Sequence, residues 1–137
     1  LAMLSDDPIA LGALAASAQA DPFWAVRRSA VDALAKAGGA ESPALLKKAA
    51  LDAHPLVRAS ALVALGERKD RALLEFFKDR FAKDASDAVR AESLRAVGKL
   101  GDPSTVPFLE QCAAAPSYRN LIATAAKQAI AAAGTRH

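Results

Sequence analysis

Apolar and small residues recur with a helical period along the whole chain. Counted from Val26, Val57, Val89 and Tyr118, they return four, seven and eight places further on. This spacing marks one face of an α-helix, and no segment alternates with the period of a strand. The pattern predicts eight helices, at about 8–19, 22–37, 43–52, 55–66, 70–83, 86–100, 103–114 and 117–133.

The even-numbered helices contain copies of one motif. Arginine follows the starting residue in each copy, at positions 27, 58, 90 and 119, and an aspartate precedes the first three arginines by six residues. A fixed period near 30 residues is typical of stacked helical repeats. We therefore predict an all-α, right-handed α-solenoid of about four helical hairpins, forming one domain over 1–137. The hairpins are expected at about 8–37, 43–66, 70–100 and 103–133.

Short motifs mark the expected helix ends. An N-cap oxygen followed by proline at the first helical position predicts a helix start, and it occurs at Asp7-Pro8, Asp21-Pro22, Ser42-Pro43 and Asp102-Pro103. Glycine suits the left-handed position after a helix, which predicts helix ends at Gly38-Gly39, Gly66, Gly101 and Gly134.

The buried positions of the repeat divide into small and bulky residues. Seven places after the start, every copy has alanine, so the closest helix–helix approach is expected at Ala33, Ala64, Ala96 and Ala125. The first helices supply bulky core residues, namely Leu11, Leu14, Leu45, Leu46, Leu73, Phe76, Phe77, Phe81, Val106, Phe108 and Leu109. Phe23 and Trp24 are interpreted as a plug of the turn between two helices; an interface anchor is the alternative.

The recurring charges predict a structural ladder. Aspartates of the ladder are expected to cap helices, and each arginine to brace its own or an adjacent repeat. An anion-binding row is the alternative. The ladder residues are Asp21, Asp52, Asp84, Arg27, Arg58, Arg90 and Arg119.

Outward positions of the same helices have no common chemistry, and binding specificity in a solenoid is expected where the copies differ. We therefore predict a partner-binding face for a protein or for an adjoining domain of the same parent chain. We call this surface the second-helix face. Its residues are Arg28, Asp32, Lys36, Val63, Glu67, Arg95, Lys99 and Thr124.

Composition narrows the classes of partner. The net charge is +3, but 18 Lys and Arg are interleaved with 15 Asp and Glu, which argues against nucleic acid. The basic cluster at 68–83 is the best candidate site for nucleic acid or an acidic partner, although pairing with its own carboxylates is the favoured explanation. No apolar run is long enough to span a membrane.

Residues for catalysis are sparse. The sequence has one cysteine, Cys112, which reads as a buried small residue, and two histidines, His54 and His137. It has no HExxH or CxxC motif and no glycine-rich phosphate loop. We therefore predict no catalytic, metal-binding or cofactor-binding residue, and a segment that is not itself an enzyme.

Residues 89–109 resemble HEAT repeats of the short type first described in phycobilisome lyases. They contain Val-Arg, an Ala- and Leu-rich helix, Leu-Gly-Asp-Pro and Val-Pro-Phe-Leu. The resemblance implies a HEAT solenoid used for protein interaction or scaffolding. A lyase-like or nucleic-acid-binding repeat protein is a further alternative.

Residues 21–30 also resemble the C-terminal HEAT-like region of bacterial zinc metallopeptidases of the alanyl aminopeptidase family. This implies an alternative function, in which the helices pack on a separate catalytic domain and shape substrate access. The chain has no initiator methionine and begins in mid-repeat, so we expect it to be a fragment of a longer protein. Dimerisation through either end of the array is possible.

Overall fold

The computed structural model describes residues 8–37 and 40–134, with side chains from residue 12 onward in the first helix. The described residues form helices and turns without a strand, as the all-α prediction requires. Some predictions lie outside the described residues. These are the helix start at Asp7, the helix end at Gly38-Gly39, the Leu11 side chain and His137. The α-helices are α1 (Pro8–Ala20), α2 (Trp24–Ala37), α3 (Ser42–Ala49), α4 (Pro55–Glu67), α5 (Leu74–Lys83), α6 (Asp87–Lys99), α7 (Val106–Ala113) and α8 (Leu121–Gly134).

Three predicted helices begin instead with a short 3-10 turn. These turns are Arg71–Leu73, Pro103–Thr105 and Tyr118–Asn120, which precede α5, α7 and α8. Asp70 and Asp102 cap the first two by accepting hydrogen bonds from the backbone N–H groups of Ala72 and Ser104, at 2.9 and 3.0 Å. The Asp102-Pro103 motif therefore starts the 3-10 turn, and α7 begins three residues later.

The chain divides into two compact units, Leu1–Leu65 (unit 1) and Gly66–His137 (unit 2). In unit 1, α1 packs on α2, and α3 contacts both. In unit 2, α5 pairs with α6 and α7 pairs with α8, while α6 also packs on α8. The single domain expected over 1–137 stays a prediction.

The large apolar residues fill the interiors of these units. Leu34 and Leu46 in unit 1, and Phe77, Leu94 and Leu109 in unit 2, are fully buried. The other predicted core residues Leu14, Leu45, Phe76, Phe81, Val106 and Phe108 are half-buried. Burial of such side chains contributes about 1.5–3 kcal/mol each, so these layers hold the hairpins together.

The aspartates that precede the second helices make one repeated turn. Asp21, Asp52 and Asp84 accept hydrogen bonds from the backbone N–H two residues ahead, at 2.9, 2.8 and 2.9 Å. Each lies three residues before the first residue of its helix, so it shapes the turn and the helix N-cap is a later residue. In α6 that N-cap is Ser86, which accepts from the N–H of Val89. The start expected at Asp21-Pro22 was therefore early: α2 begins at Trp24.

Three further residues that were expected to flank a helix lie within one instead. Ser42 is the first residue of α3, and its buried hydroxyl donates to the Leu34 carbonyl at 3.0 Å instead of capping the helix. Gly66 lies inside α4, and Gly134 is the last residue of α8. Gly101 does follow a helix with a left-handed φ of 69°, as predicted for that position.

Close helix–helix approaches occur at two glycines, and the closest approach expected at the four alanines stays a prediction. A Cβ placed on Gly98 would lie 2.5 Å from the Cα and 2.7 Å from the carbonyl oxygen of Ala129. The same addition at Gly66 would lie 3.2 Å from the Cα of Ala96. Both glycines occupy the ninth place after their starting valine. The missing side chain therefore sets the spacing between α6 and α8.

Candidate interaction surfaces

Arg27 and Asp52 form a bidentate ion pair between the two hairpin turns of unit 1. The Nε and Nη2 of Arg27 donate to the two carboxylate oxygens of Asp52, at 2.8 and 2.9 Å. Its Nη1 donates to the Asp21 carbonyl at 2.8 Å. The side chains are 14% and 8% exposed. The arginine of one repeat therefore braces the aspartate of the next.

The other arginines of the predicted ladder are placed differently. Arg58 repeats the bond to the carbonyl six residues back, from Nη1 to Asp52 at 2.8 Å. Arg90 donates instead to the Phe81 carbonyl at 2.9 Å and stacks over the Phe81 ring. Arg119 lies in the 3-10 turn with a φ of 50°, its guanidinium over the Tyr118 ring. The four arginines thus make different contacts, and their role as a structural ladder stays a prediction.

The pair also changes the acidity of Asp52. Burial by itself would raise its pKa, but hydrogen bonds from Arg27 and from the His54 N–H, together with the Arg27 charge, hold the pKa of Asp52 below its usual value. The hydrogen bond to Asp52 in turn raises the pKa of Arg27. Asp52 is therefore a carboxylate in the folded protein, and its charge is compensated by Arg27.

Four predicted face residues take part in bonds between neighbouring second helices. Arg28 Nε donates to the Ser60 hydroxyl at 3.0 Å, Lys99 pairs with Glu67 at 2.6 Å, and Arg95 Nε donates to the Gln128 side chain at 2.9 Å. The partners lie 32 or 33 residues apart. Comparing positions one repeat apart would have found the opposite charges of Glu67 and Lys99, which occupy the same place in their copies, but not the other two pairs.

The face residues differ in exposure. Asp32, Lys36, Val63, Glu67 and Thr124 are exposed, as is Arg28, while Arg95 and Lys99 are half-buried. The hydrogen bond from Lys99, and then its charge, lowers the pKa of Glu67. Exposed pairs of this kind contribute only about 0–1 kcal/mol, so they fix side-chain positions more than they stabilise the fold.

Residues 68–83 contain ion pairs that account for much of their basic charge. Lys83 and Arg80 both pair with Asp79, at 2.9 and 3.0 Å, and Lys78 lies 3.7 Å from Glu75. Hydrogen bonds from Lys83 and Arg80 lower the pKa of Asp79. This arrangement supports local charge pairing over an acidic-partner site.

The turn containing Phe23 and Trp24 is not plugged by them. Phe23 is 70% exposed and Trp24 is 37% exposed. The Trp24 ring does not enter the turn but stacks on His54, with the ring centroids 4.1 Å apart. The His54 Nδ1 accepts from the N–H of Leu56 at 3.1 Å. We call the exposed apolar surface formed by Phe23, Trp24, Leu51 and Leu56, with His54 between them, the turn edge. The stack could not be predicted from sequence, because Trp24 and His54 lie in different repeats.

An open depression of about 400 Å³ lies beside the turn edge in unit 1. Arg27 and Asp52 form part of its wall, and Lys48 and Gln19 form another part. Small side chains, among them Ala18 and Ala49, complete the lining. The depression therefore combines an apolar surface with charged and amide groups. Sequence reasoning missed it because its walls come from both hairpins of the unit.

Cys112 is buried in unit 2, as the sequence predicts. Burial raises the pKa of its thiol to about 11, against the opposing charges of Arg90 and Lys78. At pH 8 the thiolate should be about 100-fold scarcer than in the unfolded chain. Native protein should therefore react with iodoacetamide at least about 100-fold more slowly than protein in concentrated urea, as followed by mass spectrometry. Equal rates would show that the thiol is accessible.

Two negative findings apply to residues 8–37 and 40–134. They contain no group of three or more His, Cys, Asp and Glu side chains placed to hold a metal ion. None of their helices is long and apolar enough to cross a membrane.

The fold and these surfaces define a helical-repeat protein, built of hairpins with lateral bonds at the repeat period. A family model for HEAT repeats matches residues 42–131, and one for the PBS lyase HEAT-like repeat matches residues 26–52. The chain belongs to the HEAT-repeat family. No curated protein matches it.

A solved structure of human deoxyhypusine hydroxylase in complex with glycerol has a similar fold. The TM-score is 0.76 at 22% identity, over 96% of this chain and 45% of that one. The chain therefore spans less than half the length of that protein. Together with the family matches, this similarity confirms the predicted all-α solenoid.

The prediction that the segment is not an enzyme was wrong. The solved protein of similar fold is an enzyme, deoxyhypusine hydroxylase, so the missing motifs do not argue against an enzymatic role for this fold. Fold similarity does not by itself assign an activity. The matches give no support to a metallopeptidase parent or to a bacterial source.

Proposed function

We propose that this HEAT-repeat chain is a scaffold that binds a protein, or a domain of the same parent chain, through the outward positions of its second helices. The observation that carries the proposal is a contrast between columns, a column being the set of residues at the same place in each repeat copy. The inward columns repeat their chemistry, whereas Arg28, Val63, Arg95 and Thr124 differ from the corresponding residues of the other copies. A purely structural surface has no need of these differences, and solenoids bind partners through such surfaces.

The lateral bonds support this proposal because they orient the face. Arg95 donates through Nε to Gln128 and through Nη1 to Glu92, both at 2.9 Å. A guanidinium has five N–H donors, so donors remain for a partner. Side chains already fixed in the free protein lose less conformational entropy on binding. Arg28, Arg95 and Lys99 are therefore suited to act as positioned contacts.

Charge reversal tests the face. The variants Arg28→Glu and Arg95→Glu should each weaken capture of the partner by about tenfold, because each places a like charge opposite the partner's complementary group. The measurement is quantitative mass spectrometry of proteins retained from the source lysate by the wild-type chain and by each variant.

The matched control is Lys83→Glu, which makes the same charge change on α5, away from the face. It should retain what the wild-type chain retains. If both arginine variants retained the same proteins in the same amounts as Lys83→Glu, the second-helix face would have to be abandoned.

A further inference from the structure

We propose that the turn edge of unit 1 and the depression beside it form a second binding site, separate from the second-helix face. Its ligand is an extended acidic segment of a partner protein, in which an aromatic or large aliphatic side chain stands next to a glutamate or aspartate. The apolar side chain would lie against the turn edge, and the carboxylate would pair with Lys48.

The first argument is that the fold does not need the apolar turn edge. Positions equivalent to Phe23, Trp24 and Leu51 in the third repeat are Ser86, Asp87 and Lys83. The turn there has the same aspartate hydrogen bond at 2.9 Å, so polar residues make the same turn. Residues required by the turn would recur with the repeat, as the aspartates do.

The second argument is the uneven distribution of exposed apolar side chains. Among the described residues, seven large apolar side chains are exposed, and six of them lie in unit 1. Leu51 is 59% exposed although it lies between two residues of the depression wall, Lys48 and Asp52. Aromatic residues are enriched at the energetic centres of interfaces, which favours a binding role for this cluster.

The third argument is charge. Arg27 and Asp52 neutralise one another, and the Arg27 guanidinium is fixed by two bonds to Asp52 and one to the Asp21 carbonyl. Lys48 is exposed and is the remaining charged residue of the depression wall. The wall therefore has a net positive charge, and the Gln19 amide adds a hydrogen-bonding group. A carboxylate next to an apolar side chain complements this combination.

The fourth argument is that the site is formed in advance. The Trp24–His54 stack and the Arg27–Asp52 pair are two separate links between the turns of successive hairpins. A ligand does not have to order these turns, which reduces the entropic cost of binding. The volume of about 400 Å³ lies at the lower end of the range for ligand pockets and is sufficient for a few side chains.

The test uses the full chain and short peptides with blocked ends. The probe is Glu-Glu-Phe-Glu-Glu, and the comparison peptides replace either every Glu with Gln or Phe with Ala. Trp24 is the only tryptophan in the sequence, so its emission reports on the turn edge directly. Calorimetry gives a second measure of affinity. The acidic peptide should saturate the emission change, and both comparison peptides should bind at least about threefold more weakly.

Variants of exposed residues locate the peptide. Lys48→Gln should weaken binding of the acidic peptide by about two- to fivefold, as expected for one exposed ion pair. Phe23→Ser should weaken it by at least about fivefold, because an aromatic contact is lost. Lys36→Gln removes the same charge from the second-helix face and should leave the affinity unchanged. Circular dichroism confirms that each variant is folded.

Several results would overturn this site. They are no saturable binding of the acidic peptide, equal affinity of the Gln peptide, or wild-type affinity in both Lys48→Gln and Phe23→Ser. A loss with Lys36→Gln but not with Lys48→Gln would place the peptide on the second-helix face instead. The function proposed for that face is tested by Arg28→Glu and Arg95→Glu, so failure of one proposal does not decide the other.

Discussion

Replacing Gly98 with alanine should lower the free energy of unfolding of unit 2 by about 2 kcal/mol or more. The new Cβ would lie 2.5 Å from the Cα and 2.7 Å from the carbonyl oxygen of Ala129. Because these are backbone atoms, the conflict is relieved only if α6 and α8 move apart. Overpacking costs about 1–3 kcal/mol and sometimes more, and a clash this short with backbone atoms is expected at or above the upper end of that range. The alanine gains about 1 kcal/mol in helix propensity, which offsets part of that cost.

Other glycines provide matched controls for this effect. Gly12 lies in α1, and a Cβ there would meet nothing within 4 Å. Gly12→Ala should therefore be neutral or stabilising by up to about 1 kcal/mol. Gly66→Ala should fall between the two, because its Cβ would lie 3.2 Å from Ala96. Thermal and urea unfolding followed by circular dichroism should place Gly98→Ala about 5–10 °C below the wild-type Tm.

A second substitution separates backbone contact from side-chain contact. Adding Ala129→Gly to Gly98→Ala removes the Ala129 Cβ but leaves the Cα and the carbonyl oxygen in place. The double variant should therefore remain less stable than the wild type. If Gly98→Ala proved as stable as Gly12→Ala, the close packing of α6 on α8 would be wrong.

Helix positions could be predicted from sequence because their signals are local. The apolar period and the repeated Val-Arg motif located all eight helices, with α4 and α6 within about one residue of their observed bounds. The starts of α5, α7 and α8 were less accurate. A 3-10 turn has the same capping residue as an α-helix, so Asp70 and Asp102 do not distinguish the two.

The glycines show where local reasoning failed. Gly66 was expected to follow the helix because glycine weakens helices, but it is the next-to-last residue of α4, where the nearby Ala96 of the next repeat leaves little room for a side chain. The conformation of Gly101, by contrast, is a local property of the chain, and it was predicted correctly. Contacts between repeats override propensity at such positions.

The surfaces were predictable only in part. Columns that vary between copies identified the second-helix face, but not the bonds that orient Arg28 and Arg95. The turn edge was recognised only as the pair Phe23-Trp24. Its exposure depends on the stack with His54 and on the position of Leu51, both about 30 residues away in sequence. Such features require the register between hairpins, which no single repeat encodes.

The second large effect should come from Asp52→Asn, which we expect to destabilise the protein by about 1–2 kcal/mol at pH 7. The asparagine can still accept the His54 N–H bond, but it cannot accept both bonds from Arg27. An Arg27 guanidinium without a carboxylate partner is then left in a largely buried place. The open depression admits water, which keeps the cost toward the lower end of the range.

The matched control is Asp21→Asn. Asp21 makes the same turn hydrogen bond, to the N–H of Phe23 at 2.9 Å, and it contacts Arg27 through its backbone carbonyl, which the substitution leaves in place. Its effect should stay within about 0.5 kcal/mol. Urea unfolding at pH 7 measures both variants. Equal destabilisation by the two would mean that the turn matters and the ion pair does not.

Acid should narrow the difference in stability between the wild type and Asp52→Asn. The folded-state pKa of Asp52 lies below the unfolded value of about 3.9. Its contribution to stability is therefore complete above about pH 5 and is lost as the pH falls through the folded-state pKa. Asp79 and Asp102 also have lowered pKa values, but both proteins contain them. The gap between the two unfolding free energies, measured from pH 7 to pH 3, should therefore begin to narrow below about pH 4, and a constant gap would contradict a charged Asp52–Arg27 pair as its cause.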